Sequence, residues 1–239
     1  MALLDEVLEA NGGMDQWRRV QGFTIHMSIG GAVLVRKGKT DLLKEEIVAS
    51  GSIETQSVRL TGFGAPDKCV TYRPHRVAIE RLDGTVLLTR SDPRAAFLQY
   101  SEDAPWDDLD LVYFSGLSVW NCLTIPFLLA RPEIKTEELA PWREGVGEWR
   151  RLRAIFPPSI ATHAPAQIFY FDSDRLQRRA DYQLVAASIP LVADYSSAHQ
   201  KFSGITVPTL RRSLEIEHDG AVVPKPALID IEIFDVSFN

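Results

Sequence analysis

The residues best suited to chemistry lie in Ala193-Asp194-Tyr195-Ser196-Ser197-Ala198-His199-Gln200-Lys201, where strand alternation places Tyr195, Ser197 and His199 on one face. Same-face neighbours on a strand are ~7 Å apart, so Tyr195 and His199 are expected ~13 Å apart, as two walls of a site. An ordinary imidazole titrates near neutrality, so His199 suits general acid or base work, although a surface histidine, or one tied into a hydrogen-bonded network, is the plainer role. His163 lies in Ile160-Ala161-Thr162-His163-Ala164-Pro165, on a loop before a strand, where either a site residue or a solvated turn histidine fits. Arg211 and Arg212 point to opposite faces, so one of them can turn inward as an anion anchor; two solvated arginines is the alternative. Asp181 and Tyr182 follow Arg178-Arg179 on a strand, where a cross-strand ion pair is a plainer reading than catalysis. His26 alternates with Ile25 and Met27 and has no metal partner at diagnostic spacing.

A second group is aromatic. Trp106, Tyr113, Phe114, Trp120 and Phe127 crowd into 104–131, with Asn121 among them. They line an apolar pocket or form core. On the pocket reading Tyr113, Trp120, Asn121 and Arg211 contact a ligand. On an enzyme reading His199, His163 and Tyr195 carry the chemistry. No phosphate-binding glycine loop, HExxH, EF-hand loop or GxSxG elbow occurs, and Gly62-Phe63-Gly64 lacks the Lys-Ser/Thr that a phosphate loop needs. No metal and no cofactor is expected.

These side chains sit in an ordinary globular composition: 239 residues, 45% hydrophobic and 24% charged, with net charge −6. The acidic balance and the absence of any Lys/Arg cluster beyond short pairs argue against nucleic acid. Cys69 and Cys122, far apart and without CxxC spacing, read as two reduced, buried thiols. The first ten residues form an amphipathic, acidic helix and no signal peptide is read there, so a cytoplasmic address is expected. The most apolar window, 109–130, is interrupted by Asp110, Asn121 and Pro126, which argues against a membrane span.

Positioning the candidates requires strands. Helices are expected within 1–20, stopped first by Asn11-Gly12-Gly13 and continuing over 14–20. From Gly22 the period becomes two, with Phe23, Ile25, Met27 and Ile29 alternating with polar residues, and Gly30-Gly31 marks a turn or bulge before 32–37. Strands follow at 46–53, 55–61, 68–73, 76–82 and 85–90, the last two joined by Asp83-Gly84 as a two-residue hairpin turn. Asp107, Asp108 and Asp110 suit a helix N-terminus, and Tyr113, Leu117, Trp120, Leu123 and Thr124 follow at helical intervals until Pro126. Strands resume at 135–140, 148–156, 167–172, 176–184, 192–202, 205–218 and 228–237. No linker or repeat divides the chain. The expected architecture is a mainly β (α+β) single domain, 1–239. One strongly curved antiparallel sheet forms an incomplete barrel, with a helical insertion, 104–131, covering a cavity.

The opening Asn11-Gly12-Gly13-Met14-Asp15-Gln16-Trp17-Arg18-Arg19-Val20, running into a first strand, resembles the start of the outer-membrane lipoprotein carrier (LolA/LolB-like) group. Trp106-Asp107-Asp108-Leu109, Tyr113-Phe114-Ser115-Gly116, Trp120-Asn121 and Pro126-Phe127 resemble a set of uncharacterised cytoplasmic bacterial proteins. So do Ala161-Thr162-His163, Phe169-Tyr170-Phe171-Asp172, Phe202-Ser203-Gly204 and Pro208-Thr209. The carrier resemblance implies a half-barrel whose helices plug an apolar cavity that accepts acyl chains. The missing export signal sets the expectation against lipoprotein transport, and fold alone does not carry function.

Three readings follow. The first is a binder of a small, largely apolar or amphipathic molecule between sheet and insertion. The second is a cofactor-independent isomerase, cyclase or hydrolase in which His199 or His163 moves a proton while Tyr195 or Arg211 stabilises negative charge. The third is an interaction module whose exposed sheet edge pairs with a second copy as a homodimer.

Overall fold

Phe23, Ile25, Met27 and Ile29 are buried along strand β1, Gly22–Gly30, in the computed structural model of the chain, as their period of two requires. The structure describes residues 2–39, 46–62, 64–97, 104–145, 147–185 and 188–239. Five strands continue from β1: β2 Ile47–Ser52, β3 Ser57–Thr61, β4 Lys68–Arg73, β5 Arg76–Arg81 and β6 Val86–Ser91. Seven more follow a helical segment: β7 Lys135–Glu144, β8 Gly147–Ile155, β9 Ala166–Phe171, β10 Gln177–Leu184, β11 Ile189–Phe202, β12 Ile205–Glu215 and β13 Ile229–Phe238.

All thirteen belong to one antiparallel sheet in the order β6-β5-β4-β3-β2-β1-β13-β12-β11-β10-β9-β8-β7. Two meanders therefore meet along β1 and β13, where Ile25 faces Val236 and Ile29 faces Ile231. The sheet stays open, with β6 and β7 as its two edges.

That topology dictates where the helices go. The chain leaves one edge at β6 and must re-enter at the opposite edge, β7, so the intervening segment crosses the face of the sheet. Helices α1 Leu3–Ala10, α2 Met14–Trp17 and α3 Ala32–Arg36 come earlier; α4 Pro93–Phe97, α5 Asp108–Thr124 and a 3-10 turn, Phe127–Ala130, make the crossing. Every α5 residue except Asp108 and Asn121 is buried. A helix this apolar on all sides has no face to offer water. Its N-terminus is held by a reciprocal cap: the Asp107 carboxylate accepts from Asp110 N, and the Asp110 carboxylate accepts from Asp107 N, each at 2.9 Å. The Asp107 and Asp110 carboxylates also pair with Arg90 of β6. The helix ends at Thr124, ahead of Pro126, which has no N–H to continue it.

The N-terminal helices are tied to the second half of the sheet and to the 3-10 turn. Glu6 of α1 accepts from Arg150 of β8 (3.0 Å) and from Arg175 in the β9–β10 turn (2.6 Å). Trp17 stacks on Phe127 with ring centroids 4.4 Å apart.

Two local expectations are corrected. The Asp83-Gly84 hairpin has a three-residue loop, Leu82-Asp83-Gly84: Arg81 N donates to Thr85 O (2.9 Å), and only Gly84 has a positive φ (90°). A two-residue turn of the type expected needs positive φ at both central residues. Residues after Gly30-Gly31 form the helix α3. Its entry depends on Gly31, at φ 121°, where a Cβ would lie 2.3 Å from Leu228 O. Cys69 and Cys122 are both free and buried. No helix among the described residues is long and apolar enough to cross a membrane.

Candidate functional site

Helix α5 presents two different faces to the two halves of the sheet. Tyr113, Gly116 and Trp120, at steps of three and four residues, share one side. The Tyr113 ring lies 5.7 Å from that of Tyr72 in β4, and Trp120 Nε1 donates to Ser52 O at 2.9 Å. This side is closely packed core. Phe114, Ser118, Asn121 and Cys122 share the other side and face β9 to β13. Between them and the strands remains a cavity of about 40 Å³, walled by Phe169, Leu184, Ile229 and Ile231 among others. It has room for about one water molecule. The wide hollow expected between sheet and helices is thus filled by α5, whose side chains pack both halves.

One end of the cavity is polar. Asp194 of β11 accepts from Arg211 Nε (3.1 Å) and pairs with its Nη2, while its other oxygen accepts from Ser213 Oγ at 3.0 Å. Arg211 and Asp194 are diagonal neighbours, because Asp194 pairs in register with Ser213 and Ser196 with Arg211. Burial works against the Arg211 charge, but Asp194 outweighs it and raises the guanidinium pKa above its ordinary value. Arg212, the next residue, turns to the other face and meets Asp230.

His163 closes the polar end from its loop. Its ring stacks on Tyr182 (5.4 Å, 13°), and Nε2 is 3.3 Å from Ser118 Oγ. Burial pulls the His163 pKa down to about 4, with Asp194 opposing and Arg211 assisting, so the imidazole is neutral at pH 7. Burial, then Asp194, pushes Tyr182 well above the ordinary phenol range.

The structure brings together only part of the expected set. His163, Arg211 and Asn121 line the cavity. Tyr113 and Trp120 belong to the opposite side of α5 and do not reach it. Tyr195 is on the other face of β11 from Asp194, in a separate network: its hydroxyl donates to Glu144 and accepts from Arg179 Nη1 (3.1 Å). Arg179 is also paired with Asp181 two residues along its own strand (2.6 Å), not across strands, and Asp181 accepts from Tyr170 at 2.6 Å. Burial first and this carboxylate second push Tyr170 up to about 12. His199 lies near Arg178 and Asp172, outside the cavity lining, with its pKa lowered by burial and then by Arg178. Alternation along β11 is interrupted at Ala198, whose φ is +52°, between Tyr195 and His199. His26 faces outward onto Glu46 at 2.6 Å.

Ser118, Asp194 and Ser213 were not singled out by type or spacing, and Tyr182 was noted only beside Asp181 and not as a cavity residue. The structure settles which face is inner: Asp194 and Ser196 share a face opposite to Tyr195, and both are buried. No group of three or more His, Cys, Asp or Glu among the described residues could hold a metal ion.

With this geometry defined, the fold can be placed. No family model matches the sequence, and neither does any curated protein. Solved structures do match. A DUF1329 family protein from Desulfovibrio piger superposes with a TM-score of 0.54 at 14% identity, over 99% of this chain and 92% of that one. A LolA superfamily protein from Nitrosomonas europaea gives 0.52 at 8% identity, over 100% and 94%. The chain has a LolA-like fold: one open antiparallel sheet with a helical insertion against its face.

Proposed function

We propose that the protein binds a small, largely apolar molecule between α5 and strands β9 to β13. The observation that carries this reading is the residual cavity on that side of α5, where the apolar side chains of Phe114, Phe169, Leu184, Ile229 and Ile231 meet the polar cluster of Asp194, Arg211 and His163. The likeness of fold to a LolA superfamily protein supports it.

The cavity of about 40 Å³ is far smaller than any such ligand, so binding requires α5 and β9 to β13 to part. The contacts favour separation on that side. Gly116 lets α5 sit against Tyr72, Trp120 is bonded to Ser52, and Asp107 and Asp110 are paired with Arg90, all on the β2 to β6 half. On the side facing β9 to β13, α5 makes mainly apolar contacts and two long hydrogen bonds, Ser118–His163 at 3.3 Å and Asn121 Nδ2 to Ala161 O at 3.4 Å.

An enzyme in the same place finds less support. Tyr195 and His199 do not converge on His163, and the Ser118 hydroxyl donates to Phe114 O (2.8 Å), leaving no proton for His163 to withdraw. Native mass spectrometry of freshly purified protein tests the binding reading. A bound molecule of apolar character, released on unfolding, is expected. A bare mass, with no uptake of added alkyl compounds, contradicts it.

A further inference from the structure

Within the binding site proposed above, one atom has no counterpart. Nδ1 of His163 is buried and has no hydrogen-bond partner among the described residues. Its chemical state follows from its neighbour. Ser118 has one hydroxyl proton and donates it to Phe114 O at 2.8 Å. The 3.3 Å contact between Ser118 Oγ and His163 Nε2 is then a bond in which Nε2–H donates. In a neutral imidazole one nitrogen is donor and the other acceptor, so Nδ1 carries a lone pair. A buried acceptor left empty bears its full desolvation penalty.

The charges nearby are already matched. Arg211 is committed to Asp194, which also accepts from Ser213, and His163 is neutral, so the polar end has no net charge. A carboxylate or phosphate entering it would have no proton for Nδ1 and would compete with Asp194 for Arg211. A charge without a partner in an apolar cavity is costly. A hydroxyl has neither handicap.

We propose that the ligand of this cavity is an uncharged amphiphile, an alcohol or similar hydroxyl-bearing lipid, whose head donates a hydrogen bond to Nδ1 of His163. This rests on the binding reading above. The hydroxyl takes the place a single water would fill, and the alkyl chain runs along Phe169, Ile229 and Ile231 once α5 and the strands separate.

The test compares three ten-carbon probes at pH 8: decanol, methyl decanoate and decanoate. Calorimetry on the full chain, stripped of bound molecules, gives each affinity. Decanol is expected to bind at least about tenfold more tightly than decanoate, and roughly three- to tenfold more tightly than methyl decanoate, which accepts but cannot donate. His163→Phe keeps a ring against Tyr182 and removes the acceptor, and should bring decanol and methyl decanoate within about twofold. Should that variant not fold, Ser118→Ala serves instead. It removes the acceptor for Nε2–H and frees the proton to move to Nδ1, so methyl decanoate should gain on decanol. Decanoate binding as tightly as decanol, or a decanol preference that survives these substitutions, overturns the head-group assignment while leaving the binding reading intact. If folded wild-type protein binds none of the three probes, the binding reading falls, and this inference with it.

Discussion

Gly116 of α5 lies against Tyr72 of β4 so closely that a Cβ placed on it would stand 2.3 Å from the Tyr72 Cβ. The helix could not approach the sheet at this depth with any other residue there. Gly116→Ala should therefore destabilise the fold by roughly 1–3 kcal/mol despite the better helix propensity of alanine. Urea denaturation reads this directly as a lower midpoint at unchanged slope. An unchanged or higher midpoint would show that α5 is not seated as described.

Burial of His163 gives stability a defined pH dependence. The group has a folded pKa of about 4 against 6.5 for the unfolded chain, so above pH 6.5 both states hold it neutral and its burial costs nothing in protonation. As pH falls from 6.5 towards 4 only the unfolded state gains the proton, and stability declines by up to about 3 kcal/mol before levelling off for this group. Denaturation across this range should show the decline in the wild type and a shallower one in His163→Phe. Equal slopes would place the histidine in contact with water.

Asp194 and Arg211 form a pair that is expensive to break on one side. Asp194→Leu leaves a buried guanidinium without its carboxylate, and a loss of about 3–5 kcal/mol is expected. The double substitution Asp194→Leu with Arg211→Met removes both charges and should recover much of it. A double-mutant cycle in which the two losses simply add would contradict a direct, buried pair.

The strand plan was most legible where a strand buries one parity, as β1, β2 and β3 do. β4 occupies 68–73 as expected, although Cys69 and Val70 are both buried, and the crossing helix begins at the aspartates that suit its N-terminus. The site was harder to read for two physical reasons. Helix α5 is buried on nearly every side, so its sequence has no polar stripe to tell the Tyr113–Trp120 face from the Phe114–Ser118 face. In β11, Val192 and Ala193 are both fully buried, so neither parity announces itself as the inner one, and Tyr195 rather than Asp194 drew attention. The hairpin at Asp83-Gly84 was recognisable as a turn, but its loop length depends on which residue takes positive φ, and composition alone does not fix that.

Photo-crosslinking with an alkyl alcohol bearing a mid-chain diazirine measures most directly whether a guest enters between α5 and the strands. Adducts are predicted on Phe114, Cys122, Phe169 and Ile231, which all line that space. Adducts confined to the opposite face of the sheet, around Tyr195 and Arg212, or none at all under saturating probe, would contradict the account.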